Sequence, residues 1–179
     1  MRLFIAFDLP KNVVKRLVDL QKQIGIDLAQ IKFVEPENMH LTLKFLGEVE
    51  EGKVGKIIER LKSVKFKPFI TSISEIGVFP NEKFIRVVWI GLKPFDPIED
   101  LHNRIDSALS DMFNKDEKFQ AHVTLGRVKF IKDKKKFLSV LKALKMSDIV
   151  EPFVIDKFSL KKSILTPKGP IYENIAVFS

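Results

Sequence analysis

The sequence contains no cysteine. Disulfide bonds, thiolate nucleophiles and cysteine-ligated zinc sites are therefore excluded. It also lacks an apolar run of the roughly 20 residues that a membrane span requires. The apolar stretch at its start is short and is interrupted by Asp8, unlike a secretory signal. We therefore expect a cytoplasmic protein that does not enter a membrane.

Acidic side chains are outnumbered by basic ones, 23 to 31, which gives a formal net charge of +8 and a pI near 9.6. Hydrophobic residues make up 45% and charged residues 30% of the 179 residues. This balance and length are typical of one folded domain with a sizeable core. A basic surface favours polyanions, so nucleic acid or a phosphorylated ligand is the expected partner class. A charged surface that serves only solubility or heat tolerance is the alternative.

Apolar periodicity predicts a series of strands and helices that occurs twice in the same order. Strands are expected over residues 2–9, 31–34, 40–47 and 68–79, with helices between them, and the second half repeats the series from residues 84–92 to a closing hairpin. We therefore predict a single α+β domain over residues 1–179, with approximate repeats at 1–80 and 81–179. The expected architecture is a two-lobed, pseudo-symmetric duplication of antiparallel sheets with flanking helices around a central cleft.

Each repeat contains the pattern His-x-Thr-Leu, as HLTL from His40 to Leu43 and as HVTL from His122 to Leu125. The chain has only three histidines and four threonines. Two such patterns at matching places in a repeat therefore indicate a shared site, whereas one alone would be read as a structural histidine.

Strand alternation explains the spacing within each pattern. His40 and Thr42 project from one face of their strand, while Leu41, Leu43 and Phe45 are expected on the other face. The same alternation puts His122 with Thr124. If the two lobes face each other, two imidazoles and two hydroxyls converge on one cleft.

Two imidazoles on opposite sides of a phosphoryl group suit in-line displacement at phosphorus. A neutral histidine accepts the proton of the attacking water, and a protonated histidine donates one to the departing oxygen. The hydroxyls of Thr42 and Thr124 are expected to bind the non-bridging phosphate oxygens. This scheme needs no metal and no cofactor, and the two histidines lack the nearby carboxylates or thiolates of a zinc site. His102, in a helix predicted over 97–113, has no companion hydroxyl and is interpreted as a surface or partly buried residue.

The two motifs in their duplicated setting resemble the 2H phosphoesterase superfamily, and among its members the RNA 2′,3′-cyclic phosphodiesterases, also called 2′-5′ RNA ligases. The resemblance runs nearly end to end. It includes the segments RLFIAFDLP, ENMHLTLKFLGEV, IGVFPNEKFIRVVWIG, AHVTLGRV and KKSILTPKGPIYE.

This resemblance implies hydrolysis of an RNA 2′,3′-cyclic phosphate to a 2′-phosphomonoester, with His40 as proton donor and His122 as proton acceptor. It also implies that Arg127 contributes to the phosphate site. Arg127 lies five positions after His122 and is therefore nominally on the opposite strand face, unless a bulge near Gly126 redirects it. The expected partners are RNA ends that bear a cyclic phosphate, tRNA fragments among them, and we expect a monomer.

The chain departs from the family pattern at two places. Many relatives have proline where this chain has Ala121, and many have tryptophan where it has Phe33, which puts base stacking near Phe33 in doubt. The lysine-rich run 132–136 is interpreted as a solvated helix face or as a guide for RNA. Residues 163–170, polar and rich in proline and glycine, are expected to form a loop near the cleft.

Other functions stay open at this point. The same acid–base pair would suit a different small cyclic phosphate, such as one derived from ADP-ribose. A 5′-hydroxyl in place of water would attack the same phosphorus and form a 2′-5′ linkage in a reversible step. A non-enzymatic alternative is an RNA-binding module whose histidines only hold phosphate.

Overall fold

The computed structural model describes residues 1–24, 27–144 and 152–179. In these residues the chain forms four α-helices, which are α1 (Lys11–Ile24), α2 (Val54–Lys62), α3 (Asp96–Ala108) and α4 (Lys134–Ala143), and two short 3₁₀ helices, Pro36–Asn38 and Glu51–Lys53. It forms nine strands, which are β1 (Arg2–Asp8), β2 (Ala29–Phe33), β3 (His40–Glu48), β4 (Phe69–Asn81), β5 (Phe84–Lys93), β6 (Val123–Ile131), β7 (Phe153–Ile155), β8 (Phe158–Thr166) and β9 (Gly169–Phe178).

The strands form one sheet in the order β7-β4-β5-β6-β3-β1-β8-β9, and β2 also pairs with β6. Every strand pairing in the described residues is antiparallel. The predicted α+β class with duplicated antiparallel sheets is confirmed. None of the helices in the described residues has the length and apolar character that a membrane span requires.

Each half of the sheet contains strands from both sequence repeats. Strand β4, from the first half of the chain, pairs with β5, and the hairpin of β8 and β9, from the second half, pairs with β1. Strands β3 and β6 meet in the middle of the sheet, where Leu41 pairs with Val123. This single pair lies at the approximate twofold axis of the duplication.

The helices bury their apolar stripes against one face of this sheet. In α1 the buried residues include Val13, Leu17 and Leu20, at the helical spacing that the sequence predicts. They join one core cluster with Leu41 and Leu43 of the central strands. Each fully buried leucine or valine stabilises the fold by about 1.5–3 kcal/mol relative to an exposed one. The opposite face of the central strands is left for polar side chains.

A β-bulge occurs at the same place in both motifs. In β3, Thr42 pairs with Ala6 and Lys44 pairs with Ile5, so Leu43 is the extra residue. In β6, Thr124 pairs with Trp89 and Gly126 pairs with Val88, so the equivalent Leu125 is the extra residue. A bulge changes the alternation of side chains beyond it. Both bulges therefore reverse the faces that simple alternation predicts after the motif.

Phe45 shows the consequence in the first repeat. Alternation predicts its side chain on the core face with Leu41 and Leu43, and this prediction is wrong. The side chain is 70% exposed, and its ring lies 6.3 Å from that of Phe4 on the histidine face. The bulge at Leu43 is the physical reason.

Several predicted element ends also differ from the structure. Helix α1 ends at Ile24, before Leu28, which the apolar spacing included; the residues between them include 25–26, which lie outside the described part. Helix α3 ends at Ala108 rather than 113, and the chain continues in short turns. Residues 163–170 are not a loop but the tip of the β8–β9 hairpin, where Gly169 has a positive φ of 141° and accepts a 2.6 Å hydrogen bond from Thr166.

Candidate active site

The two motif histidines lie beside the central strand pair. Leu41 pairs with Val123, which places the two motifs side by side; an antiparallel register extended by one residue would set His40 across from Thr124 and Thr42 across from His122. All four side chains share the face opposite to the buried leucines. Diagonal neighbours of this kind are separated by about 7–8 Å, enough for one phosphate group between two imidazoles.

The backbone orients both imidazole rings in the same way. His40 Nδ1 lies 2.7 Å from the carbonyl oxygen of Asn38, and His122 Nδ1 lies 2.7 Å from that of Gln120. A carbonyl oxygen only accepts, so each Nδ1 carries the hydrogen and donates it. Each Nε2 is then the ring nitrogen without a backbone partner, and it is the atom that can exchange a proton with a ligand.

Thr42 contacts the reactive nitrogen of the first histidine. Its Oγ1 lies 3.0 Å from His40 Nε2. The hydroxyl donates to this nitrogen when the ring is neutral and accepts from it when the ring is protonated. Thr124 occupies the equivalent position on β6, where it pairs with Trp89 of β5.

Each histidine is bordered by two aromatic rings. The His40 ring lies 5.0 Å from that of Phe4 and 5.2 Å, edge to face, from that of Tyr172. Apolar rings exclude water and so strengthen the electrostatic interactions of the imidazole.

The second histidine has an equivalent aromatic border. The His122 ring lies 4.9 Å from that of Phe79, edge to face, and 6.2 Å from that of Trp89. The rings of Phe79 and Trp89 stack on each other at 4.9 Å. The glycine that pairs with the tryptophan, Gly77, makes this packing possible, since a Cβ there would come within 2.2 Å of the indole.

Burial is the main influence on the charge of both imidazoles. It lowers the pKa of His40 to about 4, against the hydrogen bond to Asn38, which raises it; the nearby positive charge of Lys161 lowers it further. Burial also lowers the pKa of His122. A positive charge on His122 would lower the pKa of His40, so the two rings are close enough to interact. Both imidazoles are therefore predominantly neutral near pH 7 without a ligand.

A partly buried ion pair lies next to His40. Lys161 Nζ is 2.8 Å from a carboxylate oxygen of Asp8 and 2.7 Å from Oδ1 of Asn174. Asp8 pairs with His40 across β1 and β3. Sequence patterns do not reveal this group, because its members are 153 residues apart in the chain.

Arg127 reaches the histidine face because of the bulge at Leu125. Leu125 and Gly126 are both buried, and Arg127 after them is exposed. Burial raises the pKa of the Tyr172 phenol, and the positive charge of Arg127 opposes this increase. Arg127 therefore lies within electrostatic range of the ring that borders His40. The sequence allows Arg127 on this face only if a bulge occurs near Gly126, and the structure has that bulge at Leu125.

His102 is not the surface or partly buried residue that its place on the helix suggests. It is 2% exposed, donates from Nδ1 to the carbonyl oxygen of Leu43 at 2.7 Å and stacks on Phe119 at 4.0 Å. The bulge makes the Leu43 carbonyl available. This histidine lies behind the sheet and serves the core.

Lys44 is buried behind the same bulge. Its Nζ lies 2.5 Å from Asp106 of α3 and 3.1 Å from Asp116, and it donates to the carbonyl oxygen of Asn114. These contacts fasten the segment that leads to Gln120 and His122. No sequence signal marks this lysine among the 31 basic residues.

Phe33 faces the core rather than the cleft. It pairs with Gly126, and a Cβ on that glycine would lie 3.1 Å from its ring. Within the described residues, no group of three or more histidine, aspartate or glutamate side chains is arranged to hold a metal ion.

Comparison with known proteins gives a match over nearly the whole chain. The profile of a family described as "LigT like Phosphoesterase" matches residues 7–89 and again residues 90–172. A protein of Methanocaldococcus jannaschii named RNA 2′,3′-cyclic phosphodiesterase is 42% identical over 176 residues, 98% of each chain. A protein of Archaeoglobus fulgidus with the same name is 41% identical over 179 residues, 99% of each chain.

A solved structure supports the likeness. The crystal structure of a Thermus thermophilus protein superposes on this chain with a TM-score of 0.81 and 28% sequence identity, covering 100% of this chain and 97% of the other. The end-to-end resemblance that the sequence motifs indicate is therefore confirmed.

Proposed function

Because the chain belongs to the LigT-like phosphoesterase family, we propose that it opens the 2′,3′-cyclic phosphate at RNA ends to a 2′-phosphomonoester, with His40 and His122 as an acid–base pair. The names of its relatives support the substrate class. The observation that carries the proposal is the placement of two equally oriented imidazoles on either side of the Leu41–Val123 pair.

The proposed reaction begins with a water molecule beside His122. Its Nε2 takes a proton as the water oxygen attacks phosphorus. The bond from phosphorus to the 3′ oxygen breaks, and His40 Nε2 gives its proton to that oxygen. The products are a 2′-phosphomonoester and a 3′-hydroxyl. His40 then regains a proton and His122 loses one to the solvent.

Three further side chains stabilise the phosphate in this proposal. Thr42 and Thr124 lie on the same face as the histidines and donate their hydroxyls to the non-bridging oxygens. Arg127 adds positive charge where negative charge develops. The aromatic rings beside His40 and His122 exclude water, so the hydrogen bonds of the two threonines are stronger than at an open surface.

The substrate itself makes His40 an acid. With a pKa of about 4, about one imidazole in a thousand is protonated at pH 7. A phosphodiester carries one negative charge, which at 4 Å and an effective dielectric constant of 20 stabilises an imidazolium by about 4 kcal/mol. This corresponds to about three pKa units, which brings the pKa of His40 close to neutral in the complex.

Anion binding is therefore expected to raise the pKa of His40 by about 2–3 units. The measurement is an NMR titration of the ring nitrogens, first on the free protein and then with a saturating nucleoside 2′-phosphate, the proposed product. The free protein should show His40 titrating near 4.

The His122→Asn variant assigns the signals, and the buried ring of His102 serves as the internal control. His102 lies behind the sheet, so its signal should not move when the nucleotide binds. A His40 pKa that is the same with and without nucleotide would contradict the acid role.

Product mapping tests the proposed function directly. The purified protein is given an oligoribonucleotide that ends in a 2′,3′-cyclic phosphate, and the product is followed by phosphorus NMR. We expect a 2′-phosphomonoester as the only product. A 3′-phosphomonoester would show that the 2′ oxygen leaves instead, and would overturn the assignment.

Two control substrates separate the alternatives. Faster turnover of a cyclic phosphate derived from ADP-ribose than of RNA ends would favour that substrate class. Tight RNA binding without turnover would favour a binding module. In that case affinity would fall steeply with salt and would show no pH optimum set by two groups.

A 5′-hydroxyl in place of water would attack the same phosphorus, displace the same 3′ oxygen and join two RNA ends through a 2′-5′ linkage. Water is far more concentrated than any RNA end, so we propose that hydrolysis predominates. Ligation faster than hydrolysis at ordinary RNA concentrations would reverse this order.

A further inference from the structure

Two positive charges lie directly opposite each other on strands β2 and β6. Lys32 pairs with Arg127 in the antiparallel register. Like charges in this relation repel and destabilise the strand pair. Within the described part of the chain, neither side chain has a carboxylate partner. An anion bound between them would relieve this repulsion.

Both side chains lie on the histidine face of the sheet. Ile31 and Phe33, on either side of Lys32, pack against the core. A Cβ on Gly126 would point at these same two side chains. Lys32 and Arg127 alternate with these core-facing residues, so they project from the opposite face, together with His122 and Thr124.

Lys32 lies beside the tip of the β8–β9 hairpin. A Cβ on Gly169 would lie 3.8 Å from Lys32 Nζ. The Asn38 side chain holds this tip in place with a 2.9 Å hydrogen bond to the carbonyl oxygen of Pro170. Tyr172, two residues farther along, contacts His40. Lys32 therefore lies between the two halves of the sheet, beside the proposed phosphate site.

We propose that Lys32 binds the phosphodiester that precedes the cyclic phosphate in an RNA chain, and that this contact makes the protein select oligonucleotide ends over cyclic mononucleotides. The inference rests on the proposed function. A backbone phosphodiester keeps one negative charge, which suits an exposed ammonium group. With Arg127 at the reacting phosphate, Lys32 is the adjacent cation for the next one along the chain.

The test compares three substrates in the wild type and in Lys32→Met, which removes the charge and keeps the stem. They are 2′,3′-cyclic AMP, the dinucleotide ApA with a 2′,3′-cyclic end, and the same dinucleotide with a neutral methylphosphonate linkage. We expect Lys32→Met to lower kcat/KM about 3- to 10-fold for the charged dinucleotide, through KM, and to leave the other two substrates unchanged.

The salt dependence gives an independent readout. For the charged dinucleotide, the slope of log kcat/KM against log salt concentration should become shallower by about one unit in Lys32→Met. Lys32→Arg should keep most of the preference. Lys15→Met, an equal charge change on the exposed side of α1, is the matched control and should change nothing.

The result that overturns the inference is an equal effect of Lys32→Met on all three substrates, or no effect on any. If the wild type turns over 2′,3′-cyclic AMP and both dinucleotides without preference, the proposed function stands and the inference fails. If the wild type turns over none of them, both fail.

Discussion

Replacing either motif histidine by alanine is expected to lower kcat on a cyclic-ended RNA by about 10²–10⁴-fold, the usual contribution of one acid or base. Both imidazoles project from the polar face of the central strands, and their hydrogen bonds go to the backbone of their own segment or to Thr42. The fold should therefore survive His40→Ala and His122→Ala, which circular dichroism and thermal unfolding check. Full activity in either variant would contradict the acid–base pair.

A modified substrate distinguishes the acid from the base. If sulfur replaces the 3′ oxygen of the cyclic phosphate, the leaving group is a thiolate, which is stable without a proton. His40→Ala should then lose little activity relative to the wild type, while His122→Ala should remain as impaired as on the oxygen substrate. The opposite pattern would exchange the two roles.

Removing the charge of Lys44 is expected to lower the free energy of unfolding by about 3–5 kcal/mol. The side chain is 1% exposed and is paired with Asp106, itself 8% exposed, and with Asp116. In Lys44→Met the buried carboxylate of Asp106 is left without its partner. An unpaired buried charge destabilises the folded state by more than the intact ion pair stabilises it. Urea unfolding would show the change as a midpoint lower by roughly 1.5–3 M.

A second substitution tests the cause of that loss. Lys44→Met combined with Asp106→Leu leaves no unpaired buried charge, and it should recover most of the lost stability. Lys15→Met, on an exposed helix face, should stay within about 0.5 kcal/mol of the wild type. A double variant no more stable than Lys44→Met alone would mean that the loss comes from packing rather than charge.

The order of strands and helices was predictable because apolar periodicity records which face each segment buries. The His-x-Thr-Leu motifs predicted that His40 and His122 share a strand face with their threonines, since side chains alternate reliably over three residues of a strand. The structure brings these side chains to one face. Their roles as donor and acceptor stay a prediction, because both rings have the same kind of backbone partner.

Features that depend on pairing across long stretches of sequence were not predictable. The bulges at Leu43 and Leu125 are defined only by the neighbouring strands, and alternation therefore failed for Phe45. Lys161 meets Asp8 only because β8 pairs with β1. The turn after β8 was expected to be a loop because proline and glycine mark turns, but hairpin tips contain the same residues.

The bulges also make the two ends of the cleft chemically different. A site with true twofold symmetry would accept a ligand and its reversed copy with equal free energy, and half of all binding events would present the wrong oxygen to each imidazole. Two residues after the bulged leucine, one repeat has the apolar ring of Phe45 and the other has the guanidinium of Arg127. A ligand with one anionic end and one uncharged end therefore distinguishes the two orientations, although the motif itself occurs twice.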